Sequence, residues 1–128
     1  MAIALSSTEL LYRQQFINLT TFRRNGEPVS SPVNFATYDG KVYIITGRTS
    51  WKVKRIEKDP YVRITPCDWN GKPLGEVMKG KARILPESEA EALRGKLHFA
   101  TPAIIRFILN SLRAWKNNGN VCVEICIS

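Results

Sequence analysis

The sequence is poor in the residues from which most hydrolytic and metal centres are built. Among 128 residues there is one histidine, His98, and there are three cysteines, Cys67, Cys122 and Cys126. A lone histidine without a cysteine pair at zinc spacing leaves no metal-ligand set. No Ser-His-Asp constellation or paired-carboxylate site stands out either, so hydrolysis has little to rest on. An odd cysteine count argues against a disulfide framework. Cys122 and Cys126 share one face of a strand-like run but lie about 13 Å apart along it, too far to bridge. Long apolar runs are also missing, so no stretch reads as a membrane span. The N-terminal MAIALSSTELLYRQQ lacks the basic region of a secretory signal. A cytoplasmic protein with free thiols is therefore expected, and the sequon at Asn18-Leu19-Thr20 reads as coincidence.

Acidic residues are scarce as well: 11 Asp and Glu face 19 Lys and Arg, a formal net charge of +8. That balance favours an anionic partner, whether nucleic acid, membrane surface or polyanionic small molecule. The cations show no aromatic interleaving along the chain and match no recognition motif, so neither nucleic acid nor membrane is expected as the partner. Hydrophobic content of 44% and charged content of 23% are ordinary for a globular chain. A chain of this length is expected to form one domain over residues 1–128.

What is present is a run of strand signals separated by turn signals. A short helix is predicted from Ser6 to about Gln15, with Glu9 at capping-box spacing. Strands are predicted at Phe16–Phe22, Val29–Tyr38, Lys41–Thr46, Tyr61–Asp68, Glu76–Leu85 and Val121–Ile127. Asn25-Gly26 and Asp39-Gly40 are hairpin turns. Pro32 implies an edge or a bulge, and Gly80 a bulge or a close approach. Helices are predicted from Ser50 to Lys58, from Pro86 or Ser88 to Leu97 with Ser88 capping, and from Thr101 to Lys116. Six antiparallel strands on short turns with few helices suggest a small barrel, its sheet edges removed by the last strand pairing far back in sequence.

The stretch with most chemical content is Thr46–Pro60, TGRTSWKVKRIEKDP. Hydroxyls (Thr46, Thr49, Ser50) precede cations (Lys52, Lys54, Arg55, Lys58) where a strand passes into a helix. Free backbone N–H groups and the positive end of the helix dipole lie there, which suits a phosphate. Lys52 and Arg55 share a helix face, while Lys54 points elsewhere. The plain alternative is a solvated basic helix, with Ser50 as an ordinary cap. For one hydroxyl, capping and phosphate contact are taken as alternatives.

Several pieces taken in order carry a family resemblance: Asn25-Gly26-x-Pro28, Ser31-Pro32-Val33, Thr46-Gly47-x-x-Ser50-x-Lys52-x-Lys54-Arg55-Ile56, and Asp59-Pro60. In their order and spacing they resemble the pyridoxamine 5′-phosphate oxidase-like split-barrel flavoproteins, closest to the deazaflavin (coenzyme F-420)-dependent branch. The resemblance covers nearly the whole chain. It implies a mainly β fold with flanking helices, a split β-barrel of six or more antiparallel strands. It implies a homodimer with FMN or coenzyme F-420 at the subunit interface. Lys52 is implied as the main phosphate-binding cation. Thr46, Gly47 and Ser50 stand beside it, Lys54 or Arg55 assists, and Pro32, Val33 and Asn34 lie along the ring. The implied activity is hydride transfer between that cofactor and a small conjugated substrate. The alternative is a non-enzymatic FMN- or haem-binding module for storage or sensing. No catalytic side chain is singled out.

Overall fold

The computed structural model describes residues 14–93, Lys96 and residues 119–128. The first and last predicted helices, with His98 and Trp115, lie outside the described residues, apart from Gln14 and Gln15, which are not helical. The strands are β1 (Phe16–Phe22), β2 (Pro28–Asn34), β3 (Ala36–Tyr38), β4 (Lys41–Gly47), β5 (Tyr61–Cys67), β6 (Met78–Ile84) and β7 (Asn120–Ile127). Helix α1 (Trp51–Lys58) joins β4 to β5, and α2 (Glu87–Ala92) follows β6. All seven strands form one antiparallel sheet in the order β2-β1-β5-β6-β7-β4-β3.

One expected strand is two. Residues 29–38 divide at Phe35 into β2 and β3, which occupy opposite ends of the sheet order. A single residue joins them, so the sheet must curl until its two edges meet there. Phe35 itself is 5% exposed and belongs to the core. The edges thus meet through the covalent chain at Phe35. The last strand does pair far back in sequence, but as an interior strand: β7 lies between β6 and β4, with Ala82↔Ile125 on one side and Val42↔Ile125 on the other. The architecture is a curled half-barrel, as expected.

The turns follow from residue type. Asp39 and Gly40 both have positive φ, 51° and 73°, the geometry of the two-residue turn that matches strand twist. Gly26 has φ 87°, and Asn25 Oδ1 accepts the Glu27 N–H at 3.0 Å. Pro32 lies on the edge strand β2, where its missing N–H costs no ladder bond.

Strand alternation sorts side chains to two faces. Inward are Ile17 and Leu19 of β1, Val42 and Ile44 of β4, Val62 and Ile64 of β5, and Val123 and Ile125 of β7. Helix α1 closes this interior with Val53 and Ile56, at 2% and 3% exposure. The outer face of β4 and β7 has its own cluster, Tyr43 and Cys122, covered by Leu85 and by Ala90 of α2. Helix α2 begins after Pro86 without a side-chain cap, and Ser88 lies inside it. The acidic first turn (Glu87, Glu89) suits that helix end without a cap.

Gly80 is the close approach expected of it. A Cβ there would meet Cys126 O and Ile125 Cγ2, both at 3.0 Å. Gly80→Val is expected to lower unfolding free energy by about 1–3 kcal/mol through overpacking, measured by denaturant titration. Ser50→Ala should cost about 0.5–2 kcal/mol in the same assay, the loss of a helix cap. Lys52→Ala, which removes no ion pair among the described residues, should stay within about 0.5 kcal/mol of wild type.

Candidate functional site

The strand-to-helix passage from β4 into α1 brings together the residues expected there. Ser50 is the N-cap, in extended conformation, and its Oγ accepts the Val53 N–H at 3.3 Å. The Ser50 N–H donates to Gly47 O at 3.0 Å, closing the turn. Thr46 Oγ1 lies 3.3 Å from Ser50 Oγ. Two hydroxyls therefore stand side by side at the start of the helix. The first turn of α1 carries no acidic residue, although an acid is what a helix start usually prefers. Lys52 follows within that turn and is half-buried. Capping does not consume Ser50: its oxygen accepts from Val53, and of the two protons on the Thr46–Ser50 hydroxyl pair only one is used between them, leaving the other for donation to an anion. Capping and anion contact are thus compatible on one hydroxyl, contrary to the expectation that one excludes the other.

The other two cations have specific neighbours. Arg55 Nε donates to Thr21 Oγ1 at 2.7 Å, and Thr21 is 1% exposed. This bond fastens α1 to β1 and satisfies a buried hydroxyl. Lys54 Nζ lies 4.5 Å from the centre of the Trp51 ring, a cation–π contact at an exposed position. Trp51 is 69% exposed. Phe22, Trp51 and the cations Arg23, Arg24, Lys54, Arg55 and Lys58, together with the acids Glu57 and Asp59, line a groove of about 1190 Å³ alongside α1. The linear order of residues hides this groove, because its Arg-Arg pair and its helix are far apart in sequence.

The Pro32–Asn34 segment ends β2. Pro32 is exposed, and Val33 packs against the barrel core, opposite Ile17. Asn34 Oδ1 is buried and has no hydrogen-bond partner. The loop after β5 folds over this strand: Asn18 Nδ2 donates to Gly71 O at 2.6 Å, and Pro32 Cδ lies 3.8 Å from where a Cβ on Gly71 would be. Asn18, which as a sequon had no assigned use, thus anchors the turn beside Pro32.

A second polar group escaped the sequence pattern. On the outer face, Tyr43 donates to Glu124 Oε2 at 3.0 Å, and Arg83 donates to Glu124 Oε1 at 3.2 Å. Arg83 also donates to Glu89 Oε2 at 2.7 Å. Glu124 is 8% exposed, so these donors offset its desolvation. Burial and the Glu124 carboxylate drive the Tyr43 phenol well above its usual range. Burial first, then Glu124, pushes the Cys122 thiol up to about 12. Cys67 shifts upward as well, through burial and then Asp68. Neither buried thiol is thus poised as a nucleophile. This network braces α2 against the sheet.

The fold and these residues place the chain among known proteins. The structure matches a putative pyridoxamine 5′-phosphate oxidase from Listeria innocua with TM-score 0.65 at 14% identity, covering 93% of this chain and 88% of that one. An FAD-binding protein from Mesorhizobium loti matches with TM-score 0.66 at 18% identity, over 94% and 84%. The heme storage protein of Vibrio cholerae matches with TM-score 0.68 at 12% identity, over 94% and 86%. At these identities the likeness shows the fold. No curated protein matches the sequence. The profile of the pyridoxamine 5′-phosphate oxidase family, however, matches residues 7–105, well over half of the chain. With that match and the split-barrel sheet, this chain belongs to the pyridoxamine 5′-phosphate oxidase family.

Proposed function

We propose that this chain is a flavin- or deazaflavin-dependent oxidoreductase that holds FMN or coenzyme F-420 by its phosphate at the start of α1. The observation carrying the proposal is the acid-free helix start with Thr46 and Ser50 hydroxyls 3.3 Å apart and Lys52 in its first turn. A positive helix end without its own carboxylate has room for an outside anion. In this reading the Ser50–Thr46 pair donates its free hydroxyl proton to a phosphate oxygen and Lys52 supplies the charge. Gly47 leaves space: a Cβ there would have no contact closer than Gly119 O at 3.9 Å. Lys54 is a secondary anion contact, and Arg55 holds the helix in place through Thr21.

The ring belongs on the β2 side in this account, over Pro32 and Asn34 and along the backbone of Val33. Asn34 Oδ1 is a buried acceptor lacking a donor, and a ring N–H or a bound water would satisfy it. Because β2 is an edge strand, a ring lying over it needs another wall. A second copy of the chain supplies that wall in the homodimer we propose. The bound cofactor supplies hydride transfer to or from a small conjugated substrate. The chain's own residues bind the phosphate, orient the ring and exclude water. The net charge of +8 and a groove in which Arg23, Arg24, Lys54, Arg55 and Lys58 outnumber Glu57 and Asp59 suit the acidic tail of coenzyme F-420 better than FMN alone. The rival reading, a storage or sensing protein that binds FMN or haem without turnover, has in its favour the shared fold with the heme storage protein.

Fluorescence titration with FMN and with coenzyme F-420 tests the proposal. One of them should bind at micromolar concentration or below. Lys52→Ala should weaken that binding by about 1–3 kcal/mol, the scale of a lost charge-assisted hydrogen bond. Binding of neither cofactor, or an unchanged Lys52→Ala affinity, refutes the site. Tight binding with no oxidation of the reduced cofactor by any conjugated acceptor favours the rival reading.

A further inference from the structure

The outer face of β5 and β6 carries a second set of cations that the cofactor site does not use. The pairing registers arrange it in two rows across the sheet. Thr20, Arg63 and Lys79 form one, through Thr20↔Arg63 and Arg63↔Lys79. Tyr61 and Lys81 form the next, through Tyr61↔Lys81, and Phe22 lies beside them at the end of β1. Arg63, Lys79, Lys81 and Tyr61 are all exposed, Tyr61 at 63%.

Two features separate this face from an ordinary solvated strand. Arg63 and Lys79 are like charges directly opposite each other, an arrangement that destabilises a sheet. Among the described residues neither these two nor Lys81 has a carboxylate within ion-pair distance. The next outward residue of β6, Arg83, has two, Glu89 and Glu124. Glu89 and Glu124 are thus engaged by Arg83, Asp59 accepts the backbone N–H of Tyr61 at 3.1 Å, and the repelling pair is left without a carboxylate partner. The second feature is aromatic. The Arg63 guanidinium lies 5.3 Å from the Phe22 ring centre and Lys81 Nζ lies 5.9 Å from that of Tyr61. Cations and ring faces therefore alternate over a surface of extended strands. Phe22 also lines the groove beside α1, so the basic surface continues into Arg23 and Arg24. The interleaving that is absent along the chain is assembled by strand register.

From this we infer that the β5–β6 face binds single-stranded nucleic acid, with Arg63, Lys79 and Lys81 on the phosphates and Tyr61 and Phe22 stacking on bases. A polyanion relieves the Arg63–Lys79 repulsion, and planar bases match the exposed Tyr61 ring and the half-buried Phe22 ring beside it; both features are needed, and single strands offer both. A duplex conceals its base faces. A free acidic peptide offers charge without rings.

Fluorescence anisotropy with a labelled oligothymidylate of roughly 20 nucleotides tests the inference on the full chain. Micromolar or tighter binding is expected at about 50 mM salt, falling about tenfold to twentyfold by about 200 mM, as for some three neutralised phosphates. Tyr61→Ala should weaken it by at least about fivefold, the lower end of a lost stacking contact. The Lys79→Ala/Lys81→Ala double variant should weaken it and flatten the salt dependence. Lys52→Ala should leave it unchanged, which separates this face from the cofactor site. Near-native far-ultraviolet circular dichroism of each variant confirms that the sheet is intact. Three results overturn the inference: no binding at low salt, duplex bound as tightly as single strand, or Tyr61→Ala without effect.

Discussion

Everything in this molecule depends on the joint at Phe35. One residue connects strands that stand at opposite ends of a seven-stranded sheet, so the sheet has no choice but to curl. Curling creates an interior that inward residues of β1, β4, β5 and β7 fill. It also leaves a mouth that α1 closes with Val53 and Ile56. Closure aims the start of α1 outward, and the Arg55–Thr21 bond holds that aim. The Thr46–Ser50 hydroxyl pair is thus presented by the barrel, while the edge strand β2 carries Pro32 and Asn34. Phosphate grip and ring platform fall on different elements of one curled sheet.

The distribution of charge is equally consequential. Among the described residues three carboxylates form ion pairs: Glu124 and Glu89 on Arg83, which brace α2 and offset burial, and Glu27 on Arg23. Carboxylates are missing from the first turn of α1 and from β5 and β6, while Glu57 and Asp59 do line the groove beside α1. Salt-bridge counting would rate the exposed Arg23–Glu27 pair as a minor contributor. The Glu124 group is different, since removing Arg83 or Tyr43 leaves a nearly buried carboxylate short of donors.

Much of this was legible in the sequence because it is local. Asn25-Gly26 and Asp39-Gly40 fix their own turns through positive φ, and Asp59-Pro60 ends α1 within a residue of the expected place. Pro32 announced an edge strand. The Thr46–Lys52 cluster was readable because four residues in one turn need no long-range folding to meet. What stayed hidden depends on register between distant segments. The division of residues 29–38 into two strands follows from closure of the whole sheet. The Tyr43–Glu124–Arg83 group joins residues up to 81 positions apart. The rings and cations of β1, β5 and β6 alternate only across strands. Ser88 looked like a cap by residue type, yet α2 starts one residue earlier, at Glu87.

The central claim is that the start of α1 recognises the cofactor through its phosphate. Isothermal titration of FMN against riboflavin, and of coenzyme F-420 against its phosphate-free deazaflavin core, measures this directly. For whichever cofactor binds, the account predicts roughly hundredfold weaker binding of the phosphate-free form, the scale of two lost charge-assisted hydrogen bonds. In Lys52→Ala most of that difference should disappear. Equal affinity of the wild-type chain for the phosphorylated and phosphate-free forms would contradict it.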